Sequence, residues 1–203
     1  MEIKAPLGPA VLCEWFAGVF FRELTREQMQ NYGVGGFDRL AAELDQAIGP
    51  PSVGPLEEIK GDLKRWQKAP SSELELAADF AALFLANGVG VAMPYASFYE
   101  TGGKRLFDKP HHRMARRLEA AGLTVDVDAR EPADHLSFQL TYLAELYLAQ
   151  QPPETPEEFI RLELLTWVPK FTRDVAPVPT TYGFHKAVLK LLNAYLQQAA
   201  RRA

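Results

Sequence analysis

Apolar residues recur along this chain at three- and four-residue intervals, the spacing that lines one face of a helix. Val11, Leu12, Trp15, Phe16, Val19 and Phe20 form the first stripe and leave Glu14 and Arg22 for the other face. Thr25 and Gln28 read as a capping box that opens a short second helix, broken by Gly33, Gly35 and Gly36. Phe37, Leu40, Leu44 and Ile48 make the next stripe, stopped at Gly49-Pro50-Pro51. Leu56, Ile59, Leu63 and Trp66 make another.

Ser72 with Glu75 predicts a second capping box, opening the most apolar helix, residues 74–86, which ends at Asn87-Gly88. Leu76, Phe80, Leu83 and Phe84 sit on one side of it, and Leu74, Ala77, Ala78, Ala81 and Leu85 on the next. An arc that wide predicts burial against several neighbours. Residues 89–110, with Pro94 and Gly102-Gly103, read as irregular, and a connection of that length points to function or to disorder. A helix follows with Met114 and Leu118 inward and Gly122 as its stop. After a polar linker, residues 123–130, Pro132 suits a first helical position and Asp134 a first turn, where a carboxylate favours the positive dipole end. That helix runs to about residue 150 on Leu136, Leu140, Leu143 and Leu146. Thr155-Pro156-Glu157-Glu158 opens the next, which reaches Trp167 and is kinked or ended at Pro169. The last carries Phe184, Val188, Leu191, Leu192 and Tyr195. Only residues 123–127 weakly suggest a strand. The expected fold class is all-α, a single globular domain of roughly nine or ten helices.

At 203 residues the chain can bury one substantial core, or two small lobes that share one. A net charge of −4 gives no general electrostatic reason to coat nucleic acid. The single cysteine, Cys13, excludes an internal disulfide and a cysteine-rich zinc site. It lies in an apolar run and reads as a small buried hydrophobe. Met1-Glu2-Ile3-Lys4-Ala5-Pro6 lacks the basic-then-apolar pattern of a signal peptide. No stretch reaches the roughly 18 apolar residues of a membrane span. The expectation is a soluble, cytoplasmic protein.

Tests for chemistry fail one after another. Gly103-Lys104 is followed by Arg105, and the position required for the first P-loop glycine holds Phe98, so that phosphate cradle is absent. Ser97 lies in Tyr95-Ala96-Ser97-Phe98-Tyr99, without the glycines of a nucleophile elbow. There is no His-Glu-x-x-His, and no Glu stands three residues before a His, which leaves no metal-binding pattern. Adjacent residues on a helix diverge by about 100°, so His111-His112 reads as a solvent-facing pair. For the same reason Asp134-His135 does not imply a relay: the plain reading is a helix-capping Asp134 and a His135 bonded to nearby backbone.

Several segments taken together resemble the TorD family of redox-enzyme maturation chaperones. Glu75-Leu76-Ala77-Ala78-Asp79-Phe80-Ala81-Ala82-Leu83-Phe84-Leu85 resembles that family's buried helix. Met93-Pro94-Tyr95-Ala96-Ser97-Phe98-Tyr99 is similar to its Pro-Tyr-x-Ser-x-Tyr loop, and Glu131-Pro132-Ala133-Asp134-His135-Leu136 to its Glu-Pro-x-Asp-His signature. Trp167-Val168-Pro169-Lys170-Phe171 resembles its Trp-Leu-Pro-x-Phe segment, with Val for Leu. The likeness covers roughly residues 10–197, with order and spacing kept, and is nearest to the TorD branch.

The resemblance implies a cytoplasmic chaperone, not an enzyme, with no cofactor or metal of its own. It implies as partner an apo molybdoreductase and its twin-arginine signal peptide, typically trimethylamine N-oxide reductase, held until molybdopterin guanine dinucleotide is inserted. Relatives serve dimethyl sulfoxide and nitrate reductases. It also implies two parts, an N-terminal lobe (1–122) and a C-terminal lobe (131–203), with a hinge at 123–130. The state is then a monomer or a homodimer made by exchanging the C-terminal part. Weak guanine-nucleotide binding is associated with the family. A guest with two arginines and an apolar stretch calls for a carboxylate and an adaptable apolar groove. Tyr95, Ser97, Phe98, Tyr99, Glu131, Pro132, Asp134 and His135 are therefore the expected client-binding residues. A helical adaptor for another partner, and a slow nucleotide hydrolase using Asp134 and His135, stand as alternatives.

Overall fold

The computed structural model describes residues 7–85, 92–100, 102, 105–123 and 131–201. The regular elements among them are all helical. They are α1 (Pro9–Phe21), α2 (Arg26–Asn31), α3 (Asp38–Ile48), α4 (Val53–Trp66), α5 (Ser72–Phe80), α6 (Ala96–Glu100), α7 (Lys109–Ala120), α8 (Leu136–Leu148), α9 (Pro156–Phe159), α10 (Val168–Val175) and α11 (Phe184–Ala199). The all-α expectation holds. The linker beyond residue 123 and the end of the apolar helix at Asn87-Gly88 lie outside the described residues. No described helix is long and apolar enough to cross a membrane.

Two predicted helix starts form as read. Gln28 N donates to Thr25 Oγ1 at 3.2 Å while Thr25 N donates to Gln28 Oε1 at 2.9 Å. Thr155 and Glu158 make the same reciprocal pair at 3.2 and 3.1 Å. Each box satisfies two amide donors that a helix start leaves without partners. The predicted Ser72–Glu75 box does not form. The cap position falls to Ser71, whose Oγ donates to Glu75 Oε1 at 2.8 Å. Ser72 is buried and turns its hydroxyl to the Trp66 carbonyl instead.

Three further expectations are corrected. The region read as irregular contains α6. The wide apolar arc of α5 is buried only at Leu76, Phe80, Leu83 and Phe84, while Leu74 and Leu85 are 76% and 58% exposed. The helix opened at Thr155 ends at Leu164, short of Trp167, and Pro169 sits at the second position of the next helix, α10, where its missing N–H costs no hydrogen bond.

Packing explains why the chain closes into one core. α1 lies along α8, and α11 packs on α3, α4 and α10. Both arrangements join residues before 123 to residues after 131. α11 is buried well beyond its predicted stripe, taking in His185, Ala187, Leu189, Leu196 and Ala199 as well. Asp79, buried on α5, anchors the approach to it: its carboxylate accepts from the Thr181 and Tyr182 amides, each at 2.8 Å. A partly buried ionic cluster makes a second cross-link. Arg113 of α7 pairs with Glu100 and Glu163, and Arg117 with Glu154 and Glu163, at 2.7 to 2.8 Å.

His185 is enclosed by Phe80, Phe84 and Phe184, and neither ring nitrogen has a hydrogen-bond partner among the described residues. Burial pushes its pKa down to about 3, and burial likewise takes His135 down to about 4. Unfolding frees both to bind protons from about pH 6.5 downward, so the unfolded chain binds more protons. Stability is whole above that pH and falls as the pH drops towards the folded values, by about 1.4 kcal/mol per pH unit for each imidazole. Urea unfolding between pH 7.5 and 4.5 checks this. The parent's midpoint is expected to fall with acid, and His185→Phe to flatten that slope by about half.

Candidate functional site

The Pro94–Tyr99 and Glu131–Leu136 segments are far apart in sequence and stitched together in space. Leu136 N donates to the Pro94 carbonyl at 2.8 Å and Ala96 N to the Asp134 carbonyl at 3.3 Å. This places Tyr95 and His135 opposite each other in a single antiparallel bridge. Asp134 Oδ2 accepts from the Ser97 amide at 2.6 Å, and so caps the start of α6 from a distant part of the chain. Tyr95 Oη donates to Glu131 Oε2 at 2.6 Å. Burial, then Glu131, raises the Tyr95 pKa, which keeps the phenol a donor.

The contacts run on into the core. Gln139 Nε2 donates to the Asp134 carbonyl at 2.9 Å, and Trp167 Nε1 donates to Gln139 Oε1 at 3.3 Å. Tyr99 stacks on Trp167 with centroids 5.6 Å apart and touches Phe171 at 6.0 Å. Phe171 in turn meets Phe84 of the apolar segment after α5 at 6.0 Å. All four segments that carry the family resemblance thus belong to one connected network.

Asp134 and His135 do not start α8 in the expected way. The helix begins at Leu136 with His135 as its cap, and His135 Nδ1 accepts from Ser137 N at 3.2 Å. Pro132 and Asp134 precede the helix, because Asp134 is drawn to the α6 amide. His135 is buried against Tyr95, Phe21 and Phe138, with ring centroids 5.0 to 6.0 Å apart. With Nδ1 accepting, the neutral ring carries its proton on Nε2.

The eight expected site residues are therefore neighbours of unequal access. Ser97, Phe98, Pro132, Asp134 and His135 are buried, while Tyr95, Tyr99 and Glu131 are partly open. Asp134 Oδ1 is buried without a hydrogen-bond donor among the described residues. Glu131 has no cationic partner among them either. Glu131 is thus the one of these two carboxylates that is partly open, while Asp134 is enclosed.

Sequence reasoning missed three contributors. Gln139 looked like one polar position among apolar ones. Phe21 falls just outside the first stripe, yet its ring packs on His135. The solvent-facing reading of His111 is corrected: its Nδ1 accepts from Ala133 N at 2.9 Å, and burial lowers its pKa. His112 is exposed, as expected. Among the described residues no group of three or more His, Cys, Asp or Glu is placed to hold a metal.

The architecture is that of an all-helical protein in which the partly open Tyr95, Tyr99 and Glu131 rest on a buried polar and aromatic network. Residues 35–173 match the family model described as nitrate reductase delta subunit. The chain is 32% identical to the chaperone protein TorD of Vibrio atlanticus (strain LGP32), over 89% of this chain and 87% of that one. It is 32% identical to the chaperone protein TorD of Actinobacillus pleuropneumoniae serotype 3 (strain JL03), covering 91% and 90%. With the TorD of Vibrio cholerae serotype O1 (strain ATCC 39315 / El Tor Inaba N16961) it shares 33% identity, covering 91% and 86%. The chain belongs to the TorD family of chaperones.

The network makes a stability prediction. Asp134→Ala strands the Ser97 amide and is expected to cost about 2 kcal/mol or more, whereas Tyr95→Phe loses one partly open bond at about 1 kcal/mol. Chemical denaturation of both variants tests the ranking, and equal losses would remove Asp134 from its central place.

Proposed function

We propose that this chain is a cytoplasmic holding chaperone for a molybdenum-containing reductase. It binds the apoenzyme or its twin-arginine signal peptide and keeps it from export until molybdopterin guanine dinucleotide has been inserted. Trimethylamine N-oxide reductase is the proposed client, in keeping with the TorD relatives. The chain does this by binding alone, without turnover.

One observation carries the reading: the partly open Glu131 has no cationic partner among the described residues and lies beside the aromatic residues Tyr95, Tyr99 and Phe21. A guanidinium supplies the missing donors, and an apolar segment suits the aromatic edges. The eight site residues then divide the work. Tyr95, Tyr99 and Glu131 meet the client, while Ser97, Phe98, Pro132, Asp134 and His135 form the floor that aims them. Exchange of residues 131–203 between two copies would preserve the α1–α8 and α11 contacts, so a monomer and a swapped dimer would present the same patch.

Calorimetric titration with twin-arginine signal peptides from several molybdoreductases of the same organism tests this. Saturable binding to one peptide is expected. Glu131→Gln, which keeps the shape and removes the charge, should weaken that binding about tenfold or more. Failure to bind any of the peptides, together with failure to capture a full-length apo-reductase, would sink the proposal.

A further inference from the structure

Phe107 stands just before α7, next to the cap Asp108, whose Oδ1 accepts from Lys109 N at 2.7 Å. Its φ is +57°, and no other described non-glycine residue has a positive φ. A β-carbon in the left-handed region costs roughly 1–2 kcal/mol. Glycine or asparagine would stand there more easily. The ring recovers little of that cost by burial, because it is 53% exposed. Its edge-on contact is with His111, at 5.1 Å between centroids. His111 is the side chain that accepts the Ala133 amide.

A strained backbone thus holds a large apolar ring at the surface, one side chain away from the Glu131–His135 segment. Phe21, 43% exposed, touches the same segment at His135. Local folding needs explain neither the residue type nor its exposure, whereas a ligand contact explains both.

We infer that Phe107 is a client-contact residue, which seats an apolar side chain of the bound peptide while Glu131 takes up the arginines. The inference rests on the functional reading above. The occupant is the apolar stretch that accompanies the paired arginines, because such a guest brings a cation for the partly open Glu131 and apolar side chains for the exposed rings of Phe107 and Phe21, which contact His111 and His135 of the same network. His111 acts here as a positioning residue: it ties Phe107 to the Ala133 amide and so to the rest of the site.

The test titrates the full chain with the signal peptide that binds it, and with versions in which each apolar residue is changed singly to serine. Phe107→Gly relieves the backbone and deletes the ring. It should bind the parent peptide about tenfold more weakly while its thermal midpoint stays level or rises. Phe107→Leu should keep most of the affinity. One serine substitution should cost the parent protein affinity but cost Phe107→Gly almost nothing, which marks the partner position. Full affinity in Phe107→Gly, a lowered midpoint with unchanged affinity, or no coupled peptide position would overturn the inference and leave the chaperone reading in place. A parent protein that binds no peptide and captures no apo-reductase would overturn both.

Discussion

The Asp134 carboxylate is the interaction on which the site depends. Its Oδ2 holds the Ser97 amide at 2.6 Å, and its own carbonyl takes the Ala96 amide and the Gln139 side chain. One residue therefore fixes the start of α6, the approach to α8 and the link to Trp167. A buried carboxylate bonded to backbone is costly to leave half satisfied. That cost makes the arrangement specific: no slip of either segment keeps all these bonds.

The same logic explains why the patch is rigid where it is buried and open only at its rim. Tyr99 and Trp167 stack, and Phe171 and Phe84 continue the stack into the core that surrounds α11. The site thus rests on the protein's main apolar body rather than on a loose loop, which lowers the cost of presenting Tyr95 and Glu131 in a fixed geometry. The residues that most resemble a catalytic pair, Asp134 and His135, are committed to backbone capping and to aromatic contacts. His135 is held neutral with Nδ1 occupied, a poor start for a general base and a good one for a framework.

The helices were legible in sequence because their starts are local. A capping box such as Thr25–Gln28 or Thr155–Glu158 lies within four residues, and so does the stripe spacing that placed Leu44, Ile59, Leu140 and Leu192 in the core. Errors arose where a distant neighbour outweighed a local preference. Ser72 gave up a cap for the Trp66 carbonyl, and Leu74 and Leu85 are exposed because no neighbour among the described residues covers that side. His111 found the Ala133 amide 22 residues away.

By itself the sequence determined the helical class, most helix limits and the family, through periodicity, caps and four short segments in a fixed order. Only the tertiary structure decided that those four segments form one network, that Asp134 caps α6 rather than α8, and that Phe21 packs on His135 and Phe107 on His111. The reason is physical. Helix propensity and capping act over one or two turns, whereas a site is made of contacts across tens of residues, whose partners are chosen by burial and by the need to satisfy every enclosed polar group.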